Sequence, residues 1–177
     1  DKSKSASKHA PIVLFPEISS ERWTLSDQSE KGFGANVLYD SISSVSIGTL
    51  VAFVCDDQRD ILMLGVIRSI KDMDIRHFHV GIEVFSHKPI YMELVNTAFW
   101  KDTGDVYKDA TLLVSPFAIL QTLYLRPDAA FGTRASLVVP SIKYEPKDSF
   151  TLKIGNDVRT VQYGDIIEQK NDWVRVY

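Results

Sequence analysis

Short runs of β-branched and aromatic residues recur along this chain, each closed by a cluster of turn formers, and that rhythm constrains the fold more than any other feature. Arg22 to Leu25, Gly34 to Tyr39, Thr49 to Cys55, Ile61 to Ser69, Arg76 to Phe85 and Ile90 to Val95 read as successive strands. Between them stand Asp56-Asp57-Gln58-Arg59-Asp60, Lys71-Asp72-Met73-Asp74 and Ser86-His87-Lys88-Pro89, which are turn chemistry. Short strands so closely spaced leave no room for crossover helices, so the expected fold is all-β, with an antiparallel β-barrel over residues 21–96.

Residues 1–20 read as a flexible tail and lead-in, rich in Ser and Lys, in which Pro11 to Phe15 is a short apolar run closed by Pro16. Composition shifts over 97–109, where Lys101-Asp102-Thr103-Gly104-Asp105 has the character of a linker. Residues 110–177 then form a smaller second β-rich unit. Its expected strands are Thr111 to Ser115, Leu120 to Arg126, Ala135 to Val139, Ser149 to Ile154, Val158 to Tyr163 and Trp173 to Tyr177. Phe117 to Leu125 also fits a short helix with Pro116 in its first turn. Gly155-Asn156-Asp157 is a hairpin signal. Separate cores for the two units would place the apolar neighbours of Val158, Val161 and Trp173 beyond Ala110.

At 177 residues the chain is long enough to bury a sizeable core. A formal net charge of −3, with acidic and basic residues interspersed, provides no basic stripe for extended nucleic acid or an anionic membrane surface. One small anionic ligand remains compatible with it. The single Cys55 cannot form an internal disulfide, which suits a reducing cytoplasm. No apolar run is long enough for a membrane helix, and the amino terminus lacks a signal-peptide apolar region.

Asp27-Gln28-Ser29-Glu30-Lys31-Gly32 follows the first short strand. A carboxylate and a hydroxyl two residues apart share one side of an extended segment, and the glycine lets the backbone approach a ligand closely. The same pattern also describes an ordinary turn, in which Asp and Ser bond their own backbone and Gly supplies positive φ. Asp-x-Ser-x-x-Gly resembles half of the signature of PilZ domains, receptors for cyclic di-GMP. The segments Gly48 to Val54, Leu64-Gly65-Val66-Ile67-Arg68 and His79-Val80-Gly81-Ile82-Glu83-Val84-Phe85-Ser86 are similar to that family's successive barrel strands, so the resemblance covers about residues 22 to 95.

The resemblance implies a non-catalytic bacterial signalling module that binds cyclic di-GMP and acts through a partner protein. Its expected ligand-binding residues are Asp27 and Ser29 on guanine edges and ribose-phosphate, Gly32 at the backbone approach, and Arg22, Lys31 and Arg68 as cations. The family's Arg-x-x-x-Arg arm is missing upstream, where Lys4-Ser5-Ala6-Ser7-Lys8 keeps the charge spacing but not the planar guanidinium. Binding is therefore expected to be weak. The alternative is a PilZ-like protein-interaction scaffold that has lost the nucleotide.

Enzymatic readings find little to stand on. His77-Phe78-His79 sets two imidazoles on one strand face without an evident third ligand, so both are expected at the surface with Phe78 and Val80 inward. Asp56, Asp57 and Asp60 cluster in a turn, as solvated acidic loops do. No nucleophile elbow and no glycine-rich phosphate loop appears, and neither a cofactor nor a metal is expected. Trp23, Phe33, Phe53 and Phe85 fit core positions, Trp100 lies beside a loop, and Arg68 suits an ion pair with a nearby carboxylate.

Overall fold

The computed structural model describes residues 21–40, 45–96, 119–129, 132–154 and 157–177. Twelve strands run through them: β1 (Thr24–Ser29), β2 (Gly32–Leu38), β3 (Leu50–Phe53), β4 (Met63–Asp72), β5 (His77–Ser86), β6 (Ile90–Asn96), β7 (Ile119–Leu125), β8 (Ser136–Pro140), β9 (Ser149–Ile154), β10 (Asp157–Gln162), β11 (Ile166–Gln169) and β12 (Trp173–Val176). The fold is all-β, and among the described residues no helix is long and apolar enough to cross a membrane. Ile119–Leu125 is extended, so that part of the helical alternative is not adopted. The expected tail, the linker and the strand at Thr111 to Ser115 lie outside the described residues.

β1 to β5 form one antiparallel sheet in the order β1-β2-β5-β4-β3. It curls as half a barrel does and, among the described residues, stays open, because β1 and β3 each have one neighbour there, whereas a closed barrel would pair them. Alternation fills its inner face: Val37, Ile67, Val80 and Ile82 are buried there, with Trp23, Val51, Phe53 and Ile70 packed around them. The remaining strands form a seven-stranded sheet in the order β10-β9-β6-β7-β8-β12-β11. β6, expected as the last barrel strand, therefore belongs to the second sheet, where it pairs with β7 along its length and with the end of β9. The Gly155-Asn156-Asp157 signal joins a genuine antiparallel pair, β9 with β10.

All four residues of β12 are buried, because this strand is covered on both faces. Val174 and Val176 point into a cluster with Leu94, Leu120, Val139, Phe150 and Tyr163 inside the second unit. The alternate face carries Trp173 and Arg175 toward the first sheet. There Trp173 shares a cluster with Leu64, Val66 and Phe85 as well as with Leu125 and Val138. Its indole meets the Phe85 ring edge-on, with centroids 5.8 Å apart, and its Nε1 donates to the Gly48 carbonyl at 2.9 Å. The expectation that Trp173 would find its apolar neighbours beyond Ala110 is thus corrected. Period-two alternation says which residues turn inward but not which sheet they meet, and the two sheets share a core. Val161 does pack within the second unit, while the side chain of Val158 lies outside the described residues.

Candidate functional site

The outer face of the first sheet carries a shallow groove of about 270 Å³ where β1, β2, β5 and β4 run side by side. Its geometry begins with register. Asp27 pairs with Gly34, Gly34 with Gly81, and Gly81 with Ser69, so two glycines lie side by side in the middle of a four-strand row. Neither carries a Cβ, and the Asp27 carboxylate and Ser69 Oγ reach into the space this leaves. A Cβ at Gly34 would collide with the Asp27 carboxylate, and one at Gly81 would stand 2.5 Å from Ser69 Oγ. Glycine weakens a strand interior, so two aligned across neighbouring strands mark a close approach to the backbone.

Two bulges aim the polar side chains around this floor. The β1–β2 register shifts between Leu25 and Asp27, and the β4–β5 register between Ile67 and Ser69, making Ser26 and Arg68 the extra residues. Asp27 is exposed on the edge strand and accepts from His79 Nε2 at 3.0 Å and from Ser26 Oγ at 2.9 Å. Because a carboxylate only accepts, the proton of that imidazole sits on Nε2. These bonds, first His79 and then Ser26, hold the Asp27 carboxyl below the ordinary carboxylate range.

Ser29 and Gly32 close the hairpin from β1 to β2. Ser29 Oγ donates to the Gly32 carbonyl at 3.3 Å, which is turn chemistry at the rim of the groove. Gly32 is required for a reason other than positive φ, since only Gly48 and Gly132 adopt it among the described glycines. A Cβ there would stand 2.5 Å from the Ile82 carbonyl oxygen on β5. Lys31, between them, also lines the groove and makes no ion pair among the described residues.

Arg68 closes the opposite end and is heavily engaged. Its Nε donates to Glu83 on β5, and its two terminal nitrogens fork onto Glu168 of β11, with Nη2 to Oε2 at 2.7 Å. Lys170 Nζ lies 3.2 Å from the same Glu168 carboxylate. The fork holds Arg68 protonated more firmly than usual, outweighing its partial burial, and it depresses the Glu168 carboxyl in turn.

Five of the six residues expected from the sequence, Asp27, Ser29, Lys31, Gly32 and Arg68, therefore line one groove. Arg22 does not. It borders a separate hollow with Asn36, Met73 and His77. His77 faces out and is held by Asp74, with Nδ1 to Oδ2 at 3.0 Å, and Val80 is buried as expected. The acidic turn at Asp56 is a short 3-10 segment in which Arg59 pairs with Asp56 at 3.0 Å. Trp100 lies outside the described residues. Sequence reasoning overlooked Gly34, Gly81, His79 as the partner of Asp27, and Glu168; glycines inside strand-like runs were the one available signal for the first two.

Comparison with known proteins returns no matching family model, no matching curated protein and no matching solved structure.

Proposed function

We propose that this groove binds cyclic di-GMP and that the protein is a non-catalytic signalling module similar to PilZ domains, acting through a partner protein. The observation that carries the reading is the convergence of the Asp27-x-Ser29-x-x-Gly32 hairpin, the glycine floor and two cations on one surface. A purine face lies on the sheet where Gly34 and Gly81 carry no Cβ, once the Asp27 carboxylate that covers Gly34 turns toward the ligand. The Asp27 carboxylate suits the paired N–H donors of a guanine edge and exchanges His79 for them. Lys31 and Arg68 stand at opposite rims for phosphate.

A groove of about 270 Å³ is smaller than most ligand sites, so it covers one face of one nucleotide unit and binds weakly. Calorimetric titration with cyclic di-GMP tests the reading. A saturable heat that shrinks with added salt and vanishes in Asp27→Ala is expected. Absence of heat, and of thermal stabilisation at high ligand concentration, overturns it. The scaffold reading would then stand, favoured by one observation: the Arg68 guanidinium is already taken by Glu83 and Glu168.

A further inference from the structure

Arg68 is shared between the groove and the second sheet. Its fork partner lies 100 residues away on β11, an edge strand whose register also shifts, between Ile166 and Glu168, immediately before the carboxylate. The bulge at Arg68 and the one before Glu168 turn the two side chains toward each other across the gap between sheets. The β11–β12 hairpin has other attachments to the first sheet, but among the described residues none is a hydrogen bond to another groove residue. The Lys170 chain covers Gly48, where a Cβ would meet its Cδ at 3.1 Å, and Trp173 reaches the Gly48 carbonyl and Phe85. Arg68 alone among the groove residues bonds to that hairpin.

We propose that Arg68 is a latch, and that a phosphate in the groove and the Glu168 carboxylate compete for its terminal nitrogens, so that ligand binding loosens β11 from the first sheet. This rests on the groove being a nucleotide site. A guanidinium presents one fork, and a bidentate phosphate uses the same two N–H groups that Glu168 holds. Glu83 bonds Nε and is left in place. Lys170, 3.2 Å from Glu168, offers the released carboxylate a second cation, so unlatching does not strand a charge. Coupling is reciprocal: whatever factor the latch costs the ligand, the ligand costs the latch.

The experiment compares wild type with Glu168→Gln, titrating each with cyclic di-GMP and following amide hydrogen exchange of Glu168 to Val176. Glu168→Gln keeps the size but removes the competing charge, and it should bind roughly tenfold more tightly. In wild type, saturating ligand should speed exchange over that hairpin on the order of tenfold, while the β4 and β5 amides stay protected. Without ligand, Arg68→Met should speed exchange in the hairpin alone. Equal affinity of the two proteins, with an unchanged exchange pattern, overturns the latch and leaves the binding site standing. No binding by either protein removes the nucleotide reading, and the latch with it.

Discussion

Two patches on one face of the β4–β5 pair differ sharply, although they are built from the same strands. Beside β12, Phe85 is pressed by Trp173 and lies under the Arg175 guanidinium, 4.5 Å above its ring. Farther along the same face, Gly81 and Glu83 line a shallow groove with Asp27 and His79. Arg175 is buried and Arg68 partly exposed, yet both lie over the same Phe85 ring. Burial pushes the Arg175 guanidinium toward losing its proton, whereas the Glu168 fork pushes Arg68 the other way. The seam between the sheets holds the fold together, and the groove stands on it as a surface whose residues cost the fold little. Substitutions should therefore separate, stability at the seam and ligand at the groove.

The largest effect is expected at the seam. Trp173→Ala removes the indole from a cluster drawn from both sheets and leaves the Gly48 carbonyl without its donor, and urea unfolding should register a loss of about 3–5 kcal/mol. A loss near zero would mean the two sheets are independently stable. Gly34→Ala should invert the pattern. The added methyl displaces the exposed Asp27 carboxylate, so stability should change by less than about 1 kcal/mol while affinity for cyclic di-GMP falls at least tenfold.

Acid should act where the two patches meet. Glu168 has a depressed carboxyl in the folded state, so its contribution is complete above its ordinary value of 4.5 and is lost as pH falls through the lower folded value. Because the carboxylate is mostly bonded but not deeply buried, the loss should be below about 1 kcal/mol. Glu168→Gln should flatten that part of the pH–stability curve, measured by urea midpoints below pH 5. The smallest effect belongs to Asp27→Asn, which should leave the urea midpoint unchanged at neutral pH and show itself only in ligand titration. A marked loss of stability there would make the Asp27–His79 contact a structural tie rather than a ligand site.

Much of the fold was legible because alternation is written into the strands: His77 to Val84 reads polar and apolar in turn, with Val80 and Ile82 buried, and only Phe85, at a register shift, is buried out of phase. β11 escaped because Ile166-Ile167-Glu168-Gln169 is short and bulged, with no alternation to mark it. The shared core escaped for a different reason. Whether Trp173 meets Phe150 or Phe85 depends on how two sheets dock, and no local period encodes that. In the groove, Asp27, Ser29 and Gly32 were legible as one hairpin, and Arg68 as half of an ion pair. The floor was not, since Gly34 and Gly81 become neighbours only through the register of β2 on β5, 47 residues apart. Arg68 and Glu168, one strand from each sheet, are further still.

The central claim is that the glycine-floored groove beside Asp27 is the ligand site, and amide chemical-shift mapping during titration with cyclic di-GMP tests it most directly. The account predicts saturable shifts concentrated at Asp27, Gly32, Gly34 and Gly81, with weaker ones at Glu168, and none at Arg22 or Asn36. An unperturbed spectrum at high ligand concentration, or shifts centred on the hollow lined by Arg22, Asn36 and His77, would contradict it.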